Sequence, residues 1–276
     1  MIDTIDHVLR KSQNVLIDTH PSVKQLGMTA TRWYTRLWIH AATAIGDIRY
    51  DAPVDPAQLY WVDPKHIRRT VSWTEISTNR KRDEHPQFRN PKYRLAGRVF
   101  SGEWDRVDTR FNESTVYRSF LARFDRGVTW EETDFYKEST SAIKNGATLW
   151  GCSTRDEFDR RCKQLDTLYN RIASGGYKTQ NELYEYNEQG VGFDHIGRVV
   201  WGEIAVNVGR DGEFIFQDGR NRLAMAKIQD LESVPVVILV RHKKWQRLRD
   251  QVVRGQIESS ELQDQIRSHP DILDLV

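Results

Sequence analysis

Only two of the 276 residues are cysteine, and no apolar run reaches the roughly 18 residues that a membrane-spanning helix needs. Cys152 and Cys162 stand apart with no further ligands at close spacing, which argues against a zinc site and against a disulfide framework. His20, His40, His66, His85 and His195 show no ligand spacing of the His-x₃-His kind, so no metal site is assigned to them. A charge of one sign in excess is missing as well. The 41 Lys and Arg against 39 Asp and Glu leave +2, which by itself marks neither a nucleic-acid binder nor a membrane-surface protein. Internal repeats, low-complexity tracts and an opening signal pattern are absent. The expectation is a soluble, cytoplasmic chain with two ordinary thiols and no membrane partner.

Aromatic residues are what the chain has in quantity: 9 Trp, 10 Tyr and 10 Phe, enough to build cores from large rings and to argue against disorder. Residues 1–48 read as helices, with Leu26, Trp33, Leu37, Ala41 and Ile45 at mostly three- to four-residue steps. "DAPVDP" breaks that pattern as a linker, and "LYWV" is a strand closed by Asp63-Pro64. Residues 77–97 are patternless and proline-bearing, a long loop or arm. "RVFSGEWD" reads as a second strand, and Ser114 to Arg126 as a helix with Val116, Phe120, Leu121 and Phe124 on one face. "WEETDFY" reads as a helix start capped by Thr129. Thr154 with Glu157 caps the clearest helix, which Gly175-Gly176 stops.

The last third forms a β-β-α-β unit over 204–240: a hairpin around Arg210-Asp211-Gly212, a turn at 217–221, a helix from about Arg222 to Gln229, and the apolar strand "VPVVILV". Two amphipathic helices follow. Within this unit, "FIFQDGRNRLAMAKI" runs from strand to helix through an Asp-Gly turn carrying two arginines. A helix opens with N–H groups that lack partners and with partial positive charge, so such a junction suits an anion. Gly219 gives the turn its freedom and lets a ligand approach the backbone, while Arg220 and Arg222 offer bidentate contacts to phosphate oxygens. Asp218 caps the helix, holds a metal or polarises a hydroxyl. A plain Asp-Gly turn with solvated arginines is the alternative reading.

"FIFQDGRNRLAMAKIQDLESVPVVILV" resembles the signature segment of the ParB/sulfiredoxin superfamily, in which a strand leads into Gly-x-x-Arg, a small-residue helix and a Val-Pro-Val strand. "LYNRIASGGYKTQNELYEY" is similar to the family's preceding helix-then-Gly element, and "LYWVDPKHI" resembles its opening strand. The sulfiredoxin cysteine is missing: Gly219-Arg220-Asn221-Arg222 stands in its place. The Glu-Asn-x-x-Arg motif of partition-type ParB proteins is missing too. The nearest short pattern is the Asp-Gly-His-x-Arg of the free-serine kinase type, matched at Asp218, Gly219 and Arg222 with Arg220 for the histidine.

The resemblance implies an α+β fold: a small mixed β-sheet with flanking helices, preceded by a helical segment (1–55) and followed by a helical tail (246–276). The core, 56–245, would carry a large insertion at about 77–150. It also implies that ATP or another NTP is bound through Gly219, Arg220, Asn221 and Arg222, with Mg²⁺. Phosphoryl transfer to a small-molecule or macromolecular acceptor, or NTP hydrolysis, would follow, with Asp218 as catalytic acid and Arg220 stabilising developing charge.

Transfer needs a second acid. Glu103 and Asp105 flank Trp104, and strand alternation would put both carboxylates on one face, with Glu103 joining Asp218 at the metal. A surface turn around a buried Trp104 is the competing reading. A second function class is a nucleic-acid-binding or nuclease-like module. It would use the same motif together with Arg80-Lys81-Arg82 and a basic helix in which Arg241, Lys243, Lys244 and Arg247 meet phosphates and Trp245 stacks on a base; the competing reading packs Trp245, Leu248 and Val252 inward and leaves the helix's charges to water. A third is a non-catalytic interaction protein on the same fold.

Overall fold

The computed structural model describes residues 50–52, 55, 58–71, 97–185, 202–258, 260 and 262–275, together with Leu26 and Trp33. The helices expected over 1–48 therefore fall outside the described residues, apart from helical, exposed Leu26 and Trp33. The basic run Arg80-Lys81-Arg82 and the loop over 77–97, except Gly97, fall outside them as well.

One mixed sheet of six strands organises the fold. Its strands are β1 (Leu59–Val62), β2 (Arg69–Thr70), β3 (Arg98–Phe100), β4 (Ile204–Val208), β5 (Phe214–Asp218) and β6 (Val234–His242). Eight helices are described: α1 (Thr115–Phe124), α2 (Asp134–Lys144), α3 (Arg155–Gly175), α4 (Gln180–Glu185), α5 (Arg220–Ile228), α6 (Lys243–Val253), α7 (Asp264–Arg267) and α8 (Pro270–Leu273). None of them is long and apolar enough to cross a membrane.

The strand order is β1-β6-β4-β5-β2, with β3 continuing the β1 edge along the far half of β6. β4 and β5 form the expected antiparallel hairpin, and α5 then carries the chain across β4 so that β6 lies parallel to it. β6 is buried along its whole length, as the near-continuous run of branched apolar residues in "VPVVILV" requires of a central strand.

Alternation in the hairpin separates two cores. Ile204, Val206, Val208 and Phe216 face the helices, joined by Leu223 and Met225 from α5 and by Phe111, Phe120 and Phe158. Ala205, Ile215, Val237 and Leu239 face the other way, with Val71 and Trp104. In the helical layer, Phe120 meets Phe124, Trp130 and Phe135 edge to face, the preferred arrangement of ring quadrupoles. The Thr154–Glu157 capping box opens α3, and Gly176 with φ 74° closes it.

Several boundaries differ from the sequence reading. Residues 98–144 supply a strand of the central sheet and two helices of its main core, so this stretch is part of the body of the fold. The division at 245/246 falls inside one continuous helix, α6. Trp130–Glu132 is a short 3₁₀ turn, and α2 starts only at Asp134 behind a Thr133 cap, because the Thr133 hydroxyl accepts from the Tyr136 N–H.

A β-bulge has the largest consequence. From the Val206↔Ile238 pair to the Val208↔Arg241 pair, β4 advances two residues while β6 advances three. The extra residue reverses the alternation of β6. Arg241 therefore turns to the helical face, beneath α6 and α8, where Asp271 meets it.

Candidate functional site

The turn between β5 and α5 has the form the sequence suggested, with its helix starting two residues earlier. Gly219 is the N-cap in a left-handed conformation, φ 90°, and α5 begins at Arg220. A Cβ on Gly219 would stand 2.9 Å from the Ile204 Cα. The glycine is thus required twice, by its positive φ and by the backbone of β4 pressed against it. On the side where a Cβ would stand, Ile204 fills the space.

Gly219 has no side chain with which to cap the helix, and the first helical bond runs from the Leu223 N–H to the Gly219 carbonyl. The N–H groups of Arg220, Asn221 and Arg222 precede it and open the helix. Asp218 turns its carboxylate back onto the Gly219 N–H at 2.7 Å, the short local bond that aspartate makes in turns.

The two arginines separate in role. Arg220 is exposed, its guanidinium 5.9 Å over the Phe216 ring, with no ion pair among the described residues. Arg222 turns inward and donates to Glu203 at 3.3 Å. Glu203, just before β4, is buried, and its other oxygen accepts from the Gln180 N–H at 2.5 Å, capping α4. Burial pushes the Glu203 carboxyl above its ordinary value, a rise that Arg222 and the Gln180 N–H offset in part. Burial also works against the charge on Arg222, yet neighbouring Tyr177, Glu203 and Asp218 outweigh it and hold the guanidinium protonated. Arg222 is therefore a brace joining the start of α5, the entry to β4 and the start of α4, rather than a free phosphate clamp.

The second pair of acids is not at this turn. Phe100, the end of β3, pairs with His242, and Val208 pairs with Arg241, so Glu103 and Asp105 follow β3 at the hairpin end of β4. Asp218 pairs with Ala205 at the other end. Four residues of strand separate the two ends, roughly 14 Å. Residues 101–105 form a turn and not a strand, and the cation that the two carboxylates hold is Arg210. Asp105, fully buried, takes three bonds from the Arg210 backbone and guanidinium at 2.7 to 2.8 Å. Burial opposes ionisation of Asp105, but these bonds outweigh it and keep its carboxyl below the usual range. The joint metal site of Asp218 and Glu103 is thereby excluded by distance, and no group of three or more metal-ligating side chains exists among the described residues. Trp104, between the two acids, is buried, as the competing reading held.

The proposed nucleic-acid surface divides too. Arg241 and Trp245 are each 1% exposed and both bond Asp271, so neither can meet a phosphate or a base. Lys244 and Arg247 are exposed and Lys243 is half-buried. Sequence reasoning passed over Glu203, Arg210 and Asp271, the acids and the guanidinium that engage its candidate residues. Each lies far along the chain from its partner, and no local pattern announces such pairs.

No known family model, curated protein or solved structure matches this chain.

Proposed function

We propose that this protein binds a phosphate-bearing ligand, a nucleotide foremost, at the start of α5, on a core of the ParB/sulfiredoxin type. The exposed Arg220 guanidinium carries this reading. It stands at the first position of a nine-residue helix whose cap has no side chain to satisfy the opening N–H groups. A phosphate there would take backbone N–H donors, the dipole of α5 and one planar fork of Arg220. Arg222, braced by Glu203, keeps the turn in place before the ligand arrives, which lowers the ordering cost of binding.

Phosphoryl transfer is the more demanding form of the proposal. It would need Mg²⁺, which Asp218 would help to hold and which would supply positive charge to the phosphates. Asp218 is the acid in place to take part, and Glu103 and Asp105 belong to the other end of the sheet. Binding without transfer is accordingly the form that the geometry favours.

Titration calorimetry with ATP, CTP, GTP and UTP, each with and without Mg²⁺, tests it. Saturable binding is expected, weakened about tenfold or more by Arg220→Ala, since a charge-assisted hydrogen bond contributes about 1.5–3 kcal/mol. Heat-silent titrations with every nucleotide, or affinity indifferent to Arg220→Ala, would overturn the reading.

A further inference from the structure

Lys227 stands in the last turn of α5, the helix that packs against α1 and the 3₁₀ turn Pro64–His66. Its side chain is half-buried, and its amine has no hydrogen bond or ion pair among the described residues. Nζ stands 5.9 Å over the ring of Phe111, which is itself 1% exposed. Phe111 meets Phe216 and Tyr117 edge to face, so the amine rests on an aromatic floor. The nitrogen still reaches solvent, since it is not one of the buried side-chain atoms left without a partner. A small solute can therefore approach it from outside while the stem stays fixed on the core.

The neighbouring charges do little to hold a proton on this amine. Asp63 attracts it without forming an ion pair, and the Asp63 Oδ1 is engaged by the Lys65 N–H at 2.7 Å. Arg68, exposed and with no ion pair among the described residues, repels it. Burial brings the amine down from 10.5 to about 8; Asp63 offsets part of that fall and Arg68 adds to it. Lys65 gives the contrast within the same neighbourhood. Its Nζ, on a side chain 59% exposed, pairs with Asp230 at 2.6 Å, and that bond raises its pKa. At neutral pH roughly a tenth of the Lys227 amine carries a free lone pair, against about one in three thousand for an ordinary lysine.

We propose that Lys227 is a nucleophilic amine that forms an imine with a small anionic aldehyde, Arg68 receiving the anionic end. The nitrogen lone pair attacks the carbonyl carbon. The adduct then loses the carbonyl oxygen as water, which carries off both amine protons and leaves the C=N bond. Lys227 lies seven residues beyond Arg220, roughly 10 Å along the helix, so the site is separate from the helix start and does not depend on nucleotide binding.

The probe is glyoxylate, with acetaldehyde as the uncharged control. Cyanoborohydride reduces each imine to a stable secondary amine, and peptide mass spectrometry reads every lysine of the wild-type chain. At pH 7 Lys227 should be modified about tenfold faster than Lys65, since each unit of pKa changes the free amine tenfold and burial takes back part of the gain. The ratio of the two rates should shrink as pH rises through 8, because the Lys227 amine is by then unprotonated and that of Lys65 is not. Lys227 modified no faster than Lys65, or a ratio indifferent to pH, would overturn the proposal and leave its ammonium as a structural charge over Phe111. The preference for glyoxylate over acetaldehyde should be greater at Lys227 than at exposed Lys144, and Arg68→Ala should remove the difference. Equal preferences at the two lysines in the wild type would overturn the anionic class. Lys227→Arg, which keeps the stem and the charge, should abolish the fast modification, and a fast phase that persists at another lysine counts against the assignment.

Discussion

At the scale of single residues, the structure turns on which charges are spent on the protein itself. Arg220 and Arg222 are two positions apart and chemically identical, yet one is exposed and the other is 18% exposed against a carboxylate that is itself 3% exposed. Removing one partner of a buried pair leaves the other charge stranded, which costs about 3–5 kcal/mol where burial is complete and less where water reaches the site. Arg222→Ala should therefore lower unfolding stability in urea by about 2–3 kcal/mol. Adding Glu203→Gln should restore much of that loss, since the orphaned charge goes with it. Arg220→Ala should leave urea stability within about 0.5 kcal/mol of wild type, as exposed substitutions do. That contrast separates the brace from the candidate ligand contact, and a reversed order of the two variants would undo the assignment.

At the scale of elements, the junction of β5 and α5 is tuned by backbone geometry. Gly219→Ala has to place a methyl 2.9 Å from the Ile204 Cα at a φ of 90°. A non-glycine residue held in such a conformation costs about 1–3 kcal/mol, before the clash is relieved by moving β4. The expected outcome is a loss of that order by urea denaturation, together with weaker nucleotide binding because the first N–H groups of α5 shift. The bulge in β6 acts at the same scale. One inserted residue decides that Arg241 points to the helices, so the basic run at 241–249 loses Arg241 and Arg249 to the interior and keeps only Lys243, Lys244 and Arg247 on its outer side.

At the scale of the whole molecule, the C-terminal segment is clamped into the body through titratable groups. His269 stacks on Phe214 at 4.6 Å and meets Trp245 edge-on at 4.7 Å. Burial first, and then Arg241 and Arg249 in part, bring its ring down from 6.5 to about 4. The folded state thus binds the proton less readily than the unfolded chain. The neutral ring's contribution is complete above pH 6.5 and is lost as pH falls from 6.5 towards 4. The full shift corresponds to roughly 3 kcal/mol. Asp271, held below its ordinary 3.8, adds a further loss under still more acid conditions. Glu203, raised by burial, works in the opposite direction, because its proton is welcomed by the fold. Urea midpoints measured from neutral pH downwards should fall first in the histidine window, and His269→Gln should flatten that part of the curve. An unchanged profile in the variant would show that His269 is not the titrating group.

The β4–β5 hairpin, the α3 helix with its Thr154 cap, and the strand–Gly219–helix junction were legible because each follows from neighbours in the chain: alternation, capping spacing and a turn glycine. Local chemistry of that kind also determined that a helix would start directly behind a glycine cap with no side chain over its opening N–H groups. The sequence could not say which arginine would face water, that Glu103 and Asp105 would hold Arg210, or that the inward Trp245 would donate to Asp271. Those outcomes depend on groups between 19 and 107 residues apart meeting in space. The desolvation of a charge is set by what packs around it, and only the assembled sheet and helices decide that.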